Sequence, residues 1–351
     1  MTHQLRFVGA LFLTFALQSI GWALPMTVIV EPRTWADVVS EAPTFIYLDG
    51  EIDATAPQRL SHVLSTVQPG GISITFNSPG GNLFAGMELG RIIRKYGAST
   101  SIGVRGPKSF QSQPGVCFSA CSLAFLGGPF RYLNKGSSYG VHRVSSTAGP
   151  QVTDLDVGQI LSAAIGSYIR EMGADPGLFD LMVKSGVGDI YLLSEQETKA
   201  LRVVNDGIMP PEWSIEVLPG GMYLKGVQVT VYGLGKAIFS CRDGELVFYS
   251  VSQAGDKAKF IADGGWVHSL MIDSDVLPLP APFSLKNVDG YVNAMFILTR
   301  PQFRRLMSAK RIGHAMQLSR EAAFFVGYYV EVDAKSGPRV RDFIGNCVQI
   351  K

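Results

Sequence analysis

Between residues 44 and 96 the chain alternates two short apolar runs with two helical patterns, and that rhythm sharply limits the folds open to it. Ile46-Tyr-Leu48 and Ile72–Phe76 are short and apolar, as buried strands are. Between them, residues 56–67 place Leu60, Val63, Leu64 and Val67 on one helical face. Residues 83–96 repeat the pattern with Met87, Leu89, Ile92 and Ile93. Arg91, Arg94 and Lys95 fall late in that segment, where cations suit the helix dipole. Strand, helix, strand, helix predicts a mainly parallel sheet with covering helices. Thr27-Val-Ile-Val30 adds a strand in a mixed lead-in. Periodicity does not choose among the α/β folds.

Two later stretches carry chemistry. Ile74-Thr-Phe-Asn-Ser-Pro-Gly-Gly-Asn82 reads as a strand end followed by a tight turn. Cys117-Phe-Ser-Ala-Cys-Ser-Leu-Ala-Phe-Leu-Gly-Gly128 sets Ser119 between small residues, just before the apolar run Leu123–Leu126. A sharp turn into a buried helix fits that pattern. It would hold the serine oxygen near a helix N-terminus, where unpaired N–H groups favour developing negative charge. His142 follows 23 residues later, and Asp189 precedes an apolar Ile-Tyr-Leu-Leu. Serine, histidine and aspartate supply a nucleophile, a base and an orienting group. Chain order alone is weak support, since a chain of this length offers many such triples.

With these stretches in place, residues 44–208 resemble the Clp-protease-like branch of the ClpP/crotonase superfamily. The resemblance rests on Gly50-Glu-Ile-Asp53, on Asn77-Ser-Pro-Gly-Gly81 with Ala85-Gly-Met87, on Ser119 before a helix ending in Gly127-Gly128, and on His142. Asp189, Leu193-Ser-Glu-Gln-Glu197 and Asn205-Asp-Gly-Ile208 match more loosely, with one extra residue before Ser194. The resemblance implies a spiral of ββα repeats, compatible with the strand and helix order above. It also implies that Ser119 is the nucleophile, His142 its base and Asp189 the orienting acid. The oxyanion donors would be the N–H groups of Gly81, with Gly80 as its neighbour, and of Ala120. Glycine at such a turn lets the backbone approach a ligand without a Cβ. The same glycines would equally serve a strand-to-helix turn with no ligand. Crotonase relatives use the same two places to polarise a thioester, so an oxyanion hole alone does not imply a peptidase. Ser119 followed by His142 separates the two branches.

Competing residues narrow the assignment. Ser122, one turn after Ser119, reads as a helix residue packed against the turn. Beyond His3 and His142 the histidines are His62 on the first helix and His268 and His314 far downstream. Asp154 and Asp156 open a helix over 157–172, and Asp175-Pro-Gly opens another over 178–183. Tyr139-Gly-Val141, before His142, reads as an edge strand. Some relatives manage with a Ser–Lys dyad, but Lys135 and Lys184 sit at no matching motif.

At 351 residues the chain exceeds what one core usually organises. Residues 1–23 read as an export signal: a short polar start, an apolar stretch Phe7–Ile20, and Gly21-Trp-Ala23 before a cleavage point at Leu24. The apolar stretch is short of the roughly 20 residues a bilayer span needs, so no stable span is expected after cleavage, and the protein is expected in the periplasm or secreted. A net charge of +2, with no basic run, excludes nucleic acid as an expected partner. Export would place the four cysteines in an oxidising compartment that favours pairing. Four cysteines allow three pairings. The simplest joins Cys117 to Cys121 around Ser119 and Cys241 to Cys347. With only one close Cys pair and no companion His pair, zinc is not expected.

Met209-Pro-Pro-Glu-Trp213 marks a boundary, giving residues 24–208 as the α/β domain and 209–351 as a smaller β-rich domain. Strands are expected over 223–232, 237–241, 246–251, 291–299 and 322–332, with Arg242-Asp-Gly-Glu245 a hairpin turn and a short helix over 301–308. The cluster Arg300, Arg304, Arg305, Lys310 and Arg311 reads as a solvated face. Nothing in this half carries a catalytic spacing. The expectation for the whole is an exported serine peptidase acting on peptide or protein substrates, self-associating as its relatives do, with no cofactor implied. A catalytically silent scaffold of the same fold and a crotonase-type acyl-CoA enzyme are the alternatives. Export disfavours the second, because coenzyme A is cytosolic.

Overall fold

The computed structural model describes residues 24–40, 42–67, 71–106, 112–144, 154–186, 189–242, 245–319, 321–322 and 325–349. The segment 1–23, on which the export reading rests, lies outside them, as does the Asp-Gly of the expected hairpin turn. In chain order the first part runs β1 Thr27–Val30, α1 Trp35–Val39, β2 Thr44–Asp49, α2 Ala56–Thr66, β3 Ile72–Asn77, α3 Leu83–Tyr96, β4 Ser99–Ile102, β5 Val104–Arg105, β6 Ser112–Gln113, β7 Val116–Phe118, α4 Ala120–Phe125, β8 Arg131–Leu133, β9 Ser138–Val141, α5 Asp154–Glu171, α6 Gly177–Lys184, β10 Tyr191–Leu192 and α7 Glu195–Ala200.

The main sheet has the order β1-β2-β3-β4-β8. Only β1 is antiparallel; β2, β3, β4 and β8 run parallel, with Leu48 beside Phe76 and Phe76 beside Ile102. Ile46, Leu48, Ile74, Phe76 and Ile102 are fully buried. Short near-continuous apolar runs, rather than strict alternation, are what strands covered on both faces require. Asn82 starts α3 by accepting the Ala85 N–H at 3.0 Å, and Gly97 ends it in the left-handed conformation. Within α3, Gly86 has no room for a Cβ, which would meet the Ala120 carbonyl oxygen at 2.5 Å. The missing side chain lets α4 lie directly against α3.

A second, three-stranded sheet has the order β10-β9-β7. β9 is therefore the middle strand rather than the expected edge, because Tyr191 and Leu192 pair with Val141 and Gly140 on its far side. That short strand is flanked by helical segments, and its two residues carry no alternation from which a partner could be read.

The second part comprises β11 Glu212–Leu218, β12 Gly221–Thr230, β13 Gly233–Arg242, β14 Glu245–Gln253, α8 Ala258–Asp263, β15 Val267–Ile272, β16 Asp275–Pro278, β17 Ser284–Val288, β18 Tyr291–Leu298, α9 Arg300–Arg305, β19 Arg311–Gln317, β20 Val326–Glu331 and α10 Gly337–Gln349. Its strands form two antiparallel sheets, β11-β12-β13-β14-β18-β17 and β16-β15-β19-β20. The last expected strand begins at Val326 rather than 322. Helix α10 was not anticipated, although Val340, Phe343, Ile344 and Cys347 have the i, i+3, i+4, i+7 spacing of a buried stripe and are buried. One buried cluster draws on residues from Met26 to Val204 and another on residues from Trp213 to Cys347. Both disulfides are present, Cys117–Cys121 with Cα atoms 5.2 Å apart and Cys241–Cys347 at 5.6 Å. The second joins β13 to α10. Among the described residues, no helix is long and apolar enough to cross a membrane.

Candidate active site

The C-terminal ends of β3, β7 and β9 meet. β7 and β9 are parallel neighbours with Phe118 beside Gly140, and Ser119 continues the pairing by donating its N–H to the Gly140 carbonyl at 3.2 Å. Ser78, just past β3, is bridged to Cys117: it donates to the Val116 carbonyl at 2.8 Å and accepts the Phe118 N–H at 3.1 Å. In parallel sheets, side chains that act on ligands gather beyond such carboxyl ends.

Ser119 stands between β7 and α4 with φ 56° and ψ −124°. A residue other than glycine held there costs on the order of 1–3 kcal/mol and persists only where its surroundings impose it. Three constraints impose it here. The Cys117–Cys121 disulfide closes the turn around it. The Ser119 carbonyl accepts the Ser122 N–H at 2.9 Å and the Ser122 hydroxyl at 2.5 Å. Ser122 is in turn held by the buried Tyr139 hydroxyl, which donates to the Ser122 carbonyl at 3.1 Å. Ser119 itself is half-buried, and its hydroxyl makes no hydrogen bond among the described residues.

The glycine turn packs against this elbow. A Cβ on Gly80 would meet the Ser119 Cβ at 2.6 Å and the Ala120 nitrogen at 3.2 Å. The Gly80 N–H is used by Ser78, whose hydroxyl accepts it at 3.1 Å. Ile52 pairs with Gly81 as in a parallel ladder, donating to the Gly80 carbonyl at 2.7 Å and accepting the Asn82 N–H at 2.7 Å. That pairing turns the Gly81 N–H away from Ile52. Among the described residues the Gly81 and Ala120 N–H groups have no partner, the latter because it opens a helix. Ile52 is itself anchored through Asp53. The Arg59 guanidinium holds the Asp53 carboxylate, lowers its pKa well below the usual range, and also donates to the Met26 carbonyl at 2.7 Å.

His142 follows β9 directly and is half-buried. Its Nδ1 lies 2.7 Å from the Arg143 carbonyl oxygen. A carbonyl only accepts, so Nδ1 carries a proton, and in the neutral imidazole Nε2 is then the acceptor. The Arg143 guanidinium is fixed by two bonds to the Val183 carbonyl at the end of α6, at 3.1 and 2.7 Å. No hydrogen bond joins His142 to Ser119. Asp189 is exposed, folded back over Gly186, with no hydrogen bond to His142. Beyond Arg143 and Val144 an apolar cleft of about 650 Å³ opens between α5 and α6, lined by Val157, Leu161, Ile165, Phe179 and Met182.

The structure therefore brings Ser119, Gly80, Gly81 and Ala120 together, sets His142 one strand away, and shows Asp189 without a hydrogen bond to His142. One supporting residue, Arg131, carried no sequence signal. Arg131 is buried, with no carboxylate partner among the described residues, and donates to the carbonyls of Val203, Gly128, Arg202, Leu126 and Met172 at 2.6–3.4 Å, holding the C-terminal end of α4. Burial and the neighbouring Arg94 lower its pKa to about 10, so it stays charged at neutral pH. Asn205 braces the same region, accepting the Arg131 N–H and donating to the Pro129 carbonyl. Among the described residues no three His, Cys, Asp or Glu side chains gather as metal ligands.

No protein-family model matches this chain, and no curated protein matches it. Among solved structures, a mutant of the 1510-N membrane-bound stomatin-specific protease aligns with 44% of this chain and 73% of its own at 17% identity and a TM-score of 0.34. At that TM-score the likeness is too slight to assign either fold or activity.

Proposed function

We propose that this chain is an exported serine hydrolase of Clp-protease-like fold, acting on peptides through Ser119 and His142, with residues 209–351 as an added β-rich domain. The observation that carries the reading is the Ser119 elbow: a hydroxyl that makes no hydrogen bond among the described residues, on a backbone at φ 56°, packed against a glycine turn beside two N–H groups without a partner among them. His142 Nε2 takes the Ser119 proton as the oxygen attacks the substrate carbonyl. The N–H groups of Gly81 and Ala120 receive the oxyanion, a contribution worth about 3 kcal/mol per donor in comparable sites. The Arg143 carbonyl holds the imidazole in the required tautomer, a role that Asp189 would share only after moving. The apolar cleft beyond Arg143 suits a bulky apolar side chain of an extended peptide. Self-association is part of the same proposal.

A second reading, a catalytically silent member of the fold, is favoured by the missing hydrogen bond between Ser119 and His142. Labelling of the purified, oxidised protein with a fluorophosphonate separates the two. Labelling lost in both Ser119→Ala and His142→Ala supports the hydrolase. A folded wild type that never labels supports the silent scaffold.

A further inference from the structure

His268 on β15 and His314 on β19 are buried side by side between the two C-terminal sheets. Their rings stack at 5.2 Å with a 6° tilt, and Phe248 and Phe296 of the opposite sheet close over His314 at 6.0 and 5.2 Å. The hydrogen bonds form one chain across the interior. His268 Nδ1 meets His314 Nε2 at 3.1 Å, and His314 Nδ1 meets Ser250 Oγ on β14 at 2.8 Å. Ser250 Oγ meets Tyr328 Oη on β20 at 3.0 Å, and Tyr328 reaches the Lys236 carbonyl on β13 at 2.5 Å.

The Tyr328 hydroxyl donates at one end of the chain, to the Lys236 carbonyl and to Ser250 Oγ. Between the imidazoles the Nδ1···Nε2 contact holds one proton at most, so the two rings cannot both be charged: a second proton would set two N–H groups head to head.

Among the described residues no acidic side chain bonds either ring. From β14 and β18 come Phe248, Phe296 and Ser250, and from β20 the Tyr328 phenol, whose pKa burial pushes up. The charged side chains of these strands lie elsewhere: Glu245 and Glu331 are exposed at strand ends, and Arg311 stacks on Tyr329 at 4.9 Å. Lys236 reaches the chain only through its carbonyl. A buried imidazolium without a partner is strongly disfavoured.

We infer that the His268–His314–Ser250–Tyr328 chain is an acid-sensitive latch between the two C-terminal sheets, so that mild acid opens this part of the molecule while the α/β part stays closed. Burial lowers the pKa of His268 to about 4 and that of His314, with His268 beside it, to about 3, from 6.5. Both values are lowered, so the folded state binds fewer protons than the unfolded chain below pH 6.5. Stability is therefore full above that pH and falls as pH drops from 6.5 towards 4 and 3. The Cys241–Cys347 disulfide would keep α10 tethered to β13 as the sheets part. The latch does not depend on the hydrolase reading.

The test is urea unfolding of the disulfide-intact protein at pH 7.5 and pH 5, followed by emission from Trp213 and Trp266, which lie in this part. Two neutral buried histidines raise the unfolding constant by up to about 1,000-fold between those pH values, and His268→Gln should remove about 30-fold of that change. An unchanged pH dependence in the variant would overturn the latch. Should His268→Gln fail to fold, ring nitrogen shifts of wild-type histidines decide. Two rings still neutral at pH 5 support the latch, and rings that charge near pH 6.5 in a closed fold reject it. Proteolysis at pH 5 should cut within 212–349 before 26–204, and the opposite order would also reject it.

Discussion

Gly80 lies where its missing Cβ would meet the Ser119 Cβ at 2.6 Å and the Phe118 carbonyl oxygen at 2.7 Å. Its φ of 109° adds a backbone conformation that side chains rarely adopt. Gly80→Ala must therefore push the glycine turn off the elbow. Fluorophosphonate labelling should fall by about 100-fold or more, the scale of one lost oxyanion donor, with a loss of a few kcal/mol in denaturant titration. Normal labelling in a folded Gly80→Ala protein would show that the turn and the elbow do not act together.

The two disulfides should separate stability from site geometry. Cys241–Cys347 closes a sequence separation of 106 residues, for which chain entropy predicts about 4.7 kcal/mol; the five-residue Cys117–Cys121 loop is worth only about 2 kcal/mol. The Cys241→Ser/Cys347→Ser pair should lower the denaturant midpoint more. The Cys117→Ser/Cys121→Ser pair should cost more labelling, because it frees a strained elbow. The reverse ranking would contradict both roles.

His142 and Asp189 should differ widely. His142→Ala removes a base, a loss of about 100- to 10,000-fold in labelling rate. Asp189→Asn should stay within about threefold, since the Arg143 carbonyl already holds Nδ1–H at 2.7 Å. Comparable losses in the two variants would mean that Asp189 swings onto the histidine in the working enzyme.

Arg131 cannot be replaced by lysine. Its planar fork serves five carbonyls from a site only 3% exposed, and a single ammonium leaves some of them buried and unpaired. Arg131→Lys should cost on the order of 3 kcal/mol, read as a lower urea midpoint with the disulfides intact. A change below 0.5 kcal/mol, the scale of an ordinary surface substitution, would show that water replaces those bonds.

The sequence alone determined the local pieces, because local physics is written in spacing. Leu60 and Leu64 mark one buried helical face, Ile46 and Ile74 mark buried strands, and Met87, Leu89 and Ile93 mark the helix that follows the glycine turn. The small residues around Ser119 were legible for the same reason, and so was a pairing of neighbouring cysteines. Tertiary structure decided everything that depends on which segments meet. β9 became a central strand when Tyr191 and Leu192 paired with it. The acceptor for His142 Nδ1 is the neighbouring backbone, invisible in residue types, rather than a carboxylate 47 positions away. Arg131, Ile52 and the His268–His314 pair acquired their partners across distant strands. A hydrogen bond depends on position and direction to within a fraction of an ångström, and only the packed chain supplies both.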